Sequence, residues 1–128
     1  MMNKGLAQYQ QVNVNAGVEG ASPHRLIQML MEGVLQRLAE AKGAMQRKAL
    51  ADKGVACGKA ITILSGLRDS LNKDVEGEIA TNLDDLYDYM QRRVLEANLS
   101  SSEVIIDEVM ALMRTVKSGW DGIAEAAA

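Results

Sequence analysis

The amino-acid sequence predicts an all-α protein, an antiparallel up-and-down four-helix bundle with a short extra N-terminal helix. Apolar residues recur every three or four positions over four long stretches, the spacing that places side chains on one face of an α-helix. The 128 residues contain one proline, no phenylalanine and 3% aromatic residues, which argues against a β-sandwich or barrel. The connections between the stretches are short, so consecutive helices are expected to pack as antiparallel neighbours.

The N-terminal part, residues 1–21, is predicted to be a mobile arm. A short helix is expected around Leu6 to Val12, and the stretch NVNAGVEGAS after it is rich in asparagine, glycine and other small residues. Residues 22–128 are expected to form the bundle as a single domain, because a chain of this length can bury one core without disulfides or metals.

The first long helix is predicted to begin at Ser22 and Pro23. Serine is a favoured N-cap, and proline is tolerated at the first helical position because its missing N–H needs no partner there. Gly33 interrupts the pattern; since glycine costs roughly 0.5–1 kcal/mol against alanine inside a helix, it indicates close approach by another backbone. A break is expected near residues 46–50, where basic residues suit a helix C-terminus. The apolar row of this helix consists of Ile27, Leu30, Val34, Leu38, Ala41 and Met45.

The second long helix is expected to run to about Leu71, and a polar turn, NKDVEG, follows at residues 72–77. The third is predicted from Gly77 to Asn98, with acidic residues early and basic residues late, as the helix dipole favours. Asn98 is expected to close this helix in the left-handed conformation. Its apolar residues form a main row of Ile79, Leu83, Leu86, Met90, Val94 and Ala97 and a second row of Ala80, Tyr87 and Val94.

The last helix is predicted to start at Ser100, because Glu103 three positions later would complete a capping box. Ser101 and Ser102 are alternative caps. The apolar row of this helix consists of Ile105, Val109, Leu112, Val116, Trp120 and Ile123.

The apolar stripes of the four helices are wider than one packing seam requires, and the chain contains eight methionines. One explanation is a large core or a homodimer seam. The other is a groove, or several grooves, that receives amphipathic helices of a partner, where flexible methionines adapt to the bound side chains. Composition leaves these two explanations equal.

No catalytic, metal or cofactor site is predicted. The single histidine, His24, is expected to be exposed in a first helical turn, and Cys57 has no histidine nearby to activate it, so it is expected to be a packing residue. Asp88 and Arg92 are expected to form an i,i+4 ion pair. The scattered glycines form no phosphate-binding loop. The chain is therefore predicted not to be an enzyme. A solvated acidic face is expected from Asp84, Asp85 and Asp88.

Charge and hydropathy limit the classes of partner. A net charge of −3 and a pI near 5.1 disfavour nucleic acid and anionic lipid. No stretch reaches the roughly 18 consecutive apolar residues of a membrane span, and the N-terminus lacks the apolar run of a signal peptide. A lone cysteine fits a reducing compartment. The protein is predicted to be cytosolic, without membrane insertion.

A set of residues in fixed order and spacing runs from the arm to the last helix. The opening pattern consists of Tyr9, Val12, Ala21-Ser22-Pro23, Leu26-Ile27, Met29-Leu30 and Gly33, followed in register by Lys59-Ala60, Ile63 and Leu67. The most specific block consists of Gly77, Ile79-Ala80, Asn82-Leu83, Leu86-Tyr87, Tyr89-Met90, Arg93 and Ala97-Asn98, and the pattern closes with Trp120 and Ile123. In these residues the chain resembles the flagellar secretion chaperones of the FliS family along nearly its whole length. It departs from that family at Met31 and Glu32, where a tyrosine and an aspartate are common.

The resemblance implies an antiparallel helical bundle that acts as an export chaperone in the bacterial cytosol. Such a chaperone binds the disordered C-terminal segment of flagellin, here called the client, in apolar grooves. It prevents premature polymerisation and delivers flagellin to the flagellar type III export apparatus. Coupled folding and binding of such a segment buries on the order of 1,000–3,000 Å².

The resemblance also names partners and contact residues. It implies that the arm covers the client groove in the free protein and that the flagellar export gate is a partner, with other flagellar regulators as further candidates. The alternative is a structural helical bundle that homodimerises through its extra apolar stripes. The residues expected to contact the client are Tyr9, Leu26, Ile27, Leu30, Leu67, Tyr87, Met90 and Trp120.

Overall fold

The structure, a computed structural model, describes residues 20–123, which form five helices and no strand. The all-α prediction is confirmed. The predicted helix at Leu6 to Val12 lies outside the described residues, and the division into arm and bundle stays a prediction. The helices are α1 (Pro23–Arg47), α2 (Leu50–Asp69), α3 (Lys73–Glu76), α4 (Glu78–Ser100) and α5 (Glu103–Asp121).

The four long helices pack in a ring. Each lies against the next in the chain, and α5 returns to pack against α1. Three side-chain pairs between α1 and α5 show that these helices run in opposite directions, because residues further along α1 meet residues earlier in α5. The pairs are Gln28 with Asp121, Lys42 with Asp107, and Gln46 with Glu103. An up-and-down bundle is therefore confirmed.

The start and end of α1 agree with the sequence prediction. Ser22 is the N-cap, and its side chain accepts a hydrogen bond from the backbone N–H of Arg25 at 3.1 Å. Pro23 is the first helical residue. Lys48 ends the helix in the left-handed conformation, with φ 58°, so the predicted break near residues 46–50 is confirmed.

The connection before α4 differs from the prediction of a polar turn. Residues 73–76 form the short helix α3, which is capped at both ends of its single turn. The side chain of Asn72 accepts from the N–H of Val75, and Glu76 in turn accepts from the N–H of Asn72 at 2.7 Å. This exchange satisfies amide groups that a turn leaves free, so the segment winds into a helix. Gly77 then takes φ 60°, which glycine adopts without strain.

The junction of α4 and α5 also corrects two predictions. Ser101 adopts the left-handed conformation that was predicted for Asn98, with φ 53° and ψ 42°. The cap of α5 is Ser102, one of the alternatives, whose side chain accepts from the N–H of Ile105 at 3.2 Å. Ser100 is still inside α4 and donates to the carbonyl of Glu96, so it cannot cap the next helix.

The core lies along the inner faces of α1, α2, α4 and α5. On α4 the buried set differs from the predicted main row, because Ile79 is exposed whereas Ala80 and Tyr87 are buried. The reason is that the buried face of α4 is turned towards the second predicted row, Ala80, Tyr87 and Val94, so Ile79 lies outside it. Cys57 is buried in the core as predicted, and burial raises the pKa of its thiol.

His24 is buried, which contradicts the predicted exposed position. Its ring stacks on that of Trp120, with the ring centres 4.9 Å apart and the planes 13° from parallel. Trp120 Nε1 also donates to the His24 carbonyl at 3.0 Å. The end of α5 therefore covers the first turn of α1, a tertiary contact that local sequence does not reveal.

Among residues 20–123, none of the helices combines the length and the apolar character needed to cross a membrane.

Candidate functional site

The seam between α2 and α4 is polar over one half of its length. Arg68 donates from Nε to Asp84 at 2.7 Å and from Nη1 to Asp88 at 3.1 Å and to Gln91 at 2.9 Å. These bonds hold the pKa of the Asp84 carboxyl below its usual range, chiefly through Arg68. The predicted ion pair of Asp88 with Arg92 is also present, at 3.0 Å. Asp84 thus belongs to the packing of the bundle, with its side chain 17% exposed, so the solvated acidic face predicted to include it is wrong at this residue.

Gln91 sets the register of the two helices further along the seam. Its Nε2 donates to the carbonyl of Ile61 at 3.0 Å and to Ser65 Oγ at 2.8 Å. At the far end, Lys53 Nζ donates to Ser101 Oγ at 2.6 Å. The contacts step backwards along α2 as they step forwards along α4, so the helices are antiparallel and the residues between these contacts face each other.

The other half of the seam is apolar and open. On α2, steps of three or four residues back from Ile61 lead to Gly58, Gly54 and Leu50 on the same helix face. On α4, steps of four residues forward from Gln91 lead to Leu95 and Leu99. The three leucines are exposed. A Cβ atom built on either glycine would meet no atom of another described helix within 4 Å. These residues, here called the α2/α4 groove, are Leu50, Gly54, Gly58, Leu95 and Leu99.

The groove offers a shallow apolar surface. Because the two glycines have no side chains, the surface of α2 is low there. Leu50 lies at the end of the same row of α2, and Leu95 and Leu99 lie on α4. A helix can approach a glycine-lined surface more closely than one covered by side chains. This site is not among the sequence predictions, although Gly54 and Gly58 on α2 and Leu95 and Leu99 on α4 each recur at the four-residue spacing of a helix face.

One end of the groove contains a buried cation. Lys53 is 8% exposed, and its amine reaches Ser101, the residue that ends α4. The N-cap position of α2 is Ala49, which makes no side-chain capping bond within the described part of the chain. The amide groups of the first turn of α2 and the Lys53 amine therefore lie at the same end of the bundle as Leu99.

The predicted client contacts lie mostly in the core. Five of them are buried, namely Leu26, Leu30, Leu67, Tyr87 and Met90. Ile27 and Trp120 are half-buried and pack against the core, and Tyr9 lies outside the described residues. A partner reaches the buried five only if neighbouring side chains move, so their part in binding stays a prediction.

A second depression, of about 290 Å³, lies between the end of α1 and the start of α2. Its charges balance, since two acidic and two basic side chains line it, and Arg47 pairs with Asp52 at 3.7 Å. It offers no net field for a charged ligand. Among residues 20–123, no group of histidine, cysteine and acidic side chains is arranged to hold a metal ion.

Comparison with known proteins gives consistent matches over nearly the whole chain. The family model described as "Flagellar protein FliS" matches residues 5–127. The chain is 55% identical over 120 residues to flagellar secretion chaperone FliSB of Pseudomonas aeruginosa, covering 94% of this chain and 95% of the relative. It is 42% identical over 120 residues to flagellar secretion chaperone FliS of Salmonella typhimurium, covering 93% and 89%. The corresponding protein of Vibrio cholerae is 40% identical over 122 residues, covering 95% and 90%.

Proposed function

The chain belongs to the FliS family of flagellar secretion chaperones, and on that premise we propose that it holds the disordered C-terminal segment of flagellin in the cytosol before export. The protein acts by binding, not by catalysis. It keeps flagellin subunits from polymerising early and delivers them to the flagellar type III export apparatus through the export gate. Other flagellar regulators are further candidate occupants of the same surface.

The observation that carries this proposal is the α2/α4 groove. Three exposed leucines and two glycines lie together on a bundle whose other α2/α4 contacts outside the core are hydrogen-bonded and charged. Exposed apolar surface of this kind is typical of protein-binding sites. An amphipathic helix formed by the client fits it, with apolar side chains at every third or fourth position between the leucines and its backbone near the glycines.

The groove supplies a useful part of the binding free energy. Full burial of a leucine side chain is worth about 1.5–3 kcal/mol, so covering the partly exposed leucines contributes roughly 3–6 kcal/mol. A micromolar complex requires about 8 kcal/mol. Further contacts must therefore contribute, and the residues proposed from the family resemblance, such as Ile27 and Trp120, are candidates.

The test is isothermal titration of the full chain with a synthetic copy of the flagellin C-terminal segment, at two temperatures. Saturable one-to-one binding with a large negative heat-capacity change is expected, because apolar surface is buried while the client folds. Absence of heat, together with an unchanged helical content of the peptide, would refute the proposal.

A matched pair of variants locates the binding surface. Leu99 in the groove is 79% exposed and Val104 on α5 is 78% exposed, so neither substitution should disturb the core. Leu99→Ser is expected to weaken client binding at least tenfold, since it removes most of a leucine's burial. Val104→Ser should change affinity less than about twofold, because α5 does not border the groove. Equal effects of the two variants would rule out the α2/α4 groove as the binding surface.

A further inference from the structure

At the end of the α2/α4 groove lies Lys53, a lysine that forms no ion pair with any of residues 20–123. Lys53 is buried to more than nine-tenths, and the Ser101 hydroxyl is its one hydrogen-bond partner within the described residues. An ammonium group has three donors, and buried lysines are normally paired with a carboxylate. The neighbours of Lys53 along α2 are Leu50 and Gly54, both part of the groove.

A second feature at this end also favours an anion. The N-cap of α2, Ala49, makes no side-chain capping bond within the described chain, and α2 is 20 residues long. The amides of its first turn carry the positive end of the helix dipole. Since side chains tilt towards the N-terminus of their helix, the Lys53 amine lies near those amides. Asp52 in this first turn pairs with Arg47 at 3.7 Å and forms no ion pair with Lys53, so the amine and the amides of the turn attract negative charge to one place.

We propose that Lys53 binds a carboxylate of the client at this end of the α2/α4 groove and thereby fixes the direction in which the client lies. The inference rests on the proposed function, because the client is the segment proposed to occupy the groove. The carboxylate comes either from the chain end of the client or from one of its aspartate or glutamate side chains. The same chemistry recognises both, since each accepts a hydrogen bond from the amine beside Ser101. Because Lys53 is 8% exposed, the side chains that cover it must move when the carboxylate binds.

The competing explanation is structural. Ser101 ends α4, so the Lys53 amine also lies at the negative end of the α4 dipole and could serve only to stabilise that helix end. A structural lysine would affect folding stability and would be indifferent to carboxylates on the client. The two explanations therefore differ in one measurable respect. If Lys53 binds the client, removal of a client carboxylate weakens binding to the wild-type chain but not to a chain without Lys53.

The experiment titrates the wild-type chain, Lys53→Met and Lys53→Arg with three peptides copied from the flagellin C-terminal segment. The first has a free carboxylate at its end, the second is amidated there, and the third keeps the free end but has its acidic side chains replaced by their amides. With the wild-type chain, loss of the recognised carboxylate should weaken binding about tenfold. With Lys53→Met that difference should disappear, and with Lys53→Arg a large part of it should remain.

Each outcome has one meaning. Selective loss with the amidated peptide assigns the chain-end carboxylate, and selective loss with the third peptide assigns a side chain. Equal affinity of the wild-type chain for all three peptides overturns the role of Lys53 and leaves the groove proposal standing, whereas failure of every peptide to bind overturns the proposed function itself. If Lys53→Met loses its circular dichroism signal, the peptide series with the wild-type chain still decides, because it leaves the protein unchanged.

Discussion

At the scale of single residues, Tyr87 couples the stability of the bundle to alkaline pH. The side chain is 2% exposed, and burial raises the pKa of its phenol from 10.0 to about 12. A pKa that is higher in the folded state means that the neutral phenol is favoured by folding. The stability it contributes is therefore complete below pH 10 and is lost as the pH rises from 10 towards 12.

The measurement is the free energy of unfolding in urea between pH 8 and pH 11. For the wild-type chain Tyr87 is expected to account for a loss of about 1.4 kcal/mol at pH 11. Tyr87→Phe keeps the ring but cannot ionise, so its decline should be smaller by that amount. Tyr89, whose pKa is raised by its hydrogen bond to Glu108, is common to both proteins and cancels. Parallel pH profiles for the two proteins would contradict the assignment.

Individual contacts are the part of the site that sequence predicts least well. Periodicity marks Tyr87 and Met90 as apolar positions on a helix, but it does not distinguish a core position from a binding surface. The exposed fraction of the side chain distinguishes the two, but that fraction depends on where α2 packs against α4. For the same reason His24 was expected in water, although Trp120, 96 positions later, covers it. Nothing in the sequence marks Lys53 as a buried residue or a binding residue, because a single lysine among small residues normally lies at the surface.

At the scale of the helices, the start of α5 depends on one hydroxyl. Ser102→Ala is expected to lower the free energy of unfolding by about 1 kcal/mol, because the N–H of Ile105 loses its acceptor. Ser100→Ala is the matched control, two positions away, and should cost less than about 0.5 kcal/mol because Ser100 only bonds back to Glu96 within α4. Urea unfolding of both variants compares them directly. A larger cost for Ser100→Ala would restore the capping box that the sequence suggested.

The long helices could be predicted from sequence, whereas their shortest neighbour could not. Four stretches with a 3.6-residue apolar period became α1, α2, α4 and α5, because burial of such a stripe dominates the free energy of a helix in a folded protein. In contrast, α3 has four residues and buries none of them, so no apolar periodicity in the sequence predicts it. Its formation depends on the reciprocal bonds of Asn72 with Val75 and Glu76, which compete closely with an ordinary turn.

At the scale of the whole molecule, the bundle is closed by residues within the described range. Packing of α5 against α1 completes the ring between Ser22 and Asp121. Deletion of residues 1–15 is therefore expected to leave the helical content intact and to shift the melting temperature by less than about 4 °C. Circular dichroism melting of the shortened and full chains tests this. A much larger fall would mean that these residues belong to the core.

The same preparation separates the chaperone from the homodimer alternative. A chaperone with an open groove should sediment as a monomer at all concentrations and bind an apolar dye. A bundle that pairs through its α2/α4 groove should sediment as a dimer, and Leu99→Ser should dissociate it because an isologous interface loses the contact twice.

The stacking of His24 on Trp120 gives the folding pathway a built-in optical probe. The chain has a single tryptophan, and it lies where α5 returns to α1, 96 positions from its hydrogen-bond partner. Joining such distant points costs loop-closure entropy that helix formation within α1 does not. Tryptophan emission therefore follows the closing of the ring, while far-ultraviolet circular dichroism follows the winding of the helices. Refolding traces that coincide in both signals describe a single cooperative step, and an emission change that lags behind identifies ring closure as the last event of folding.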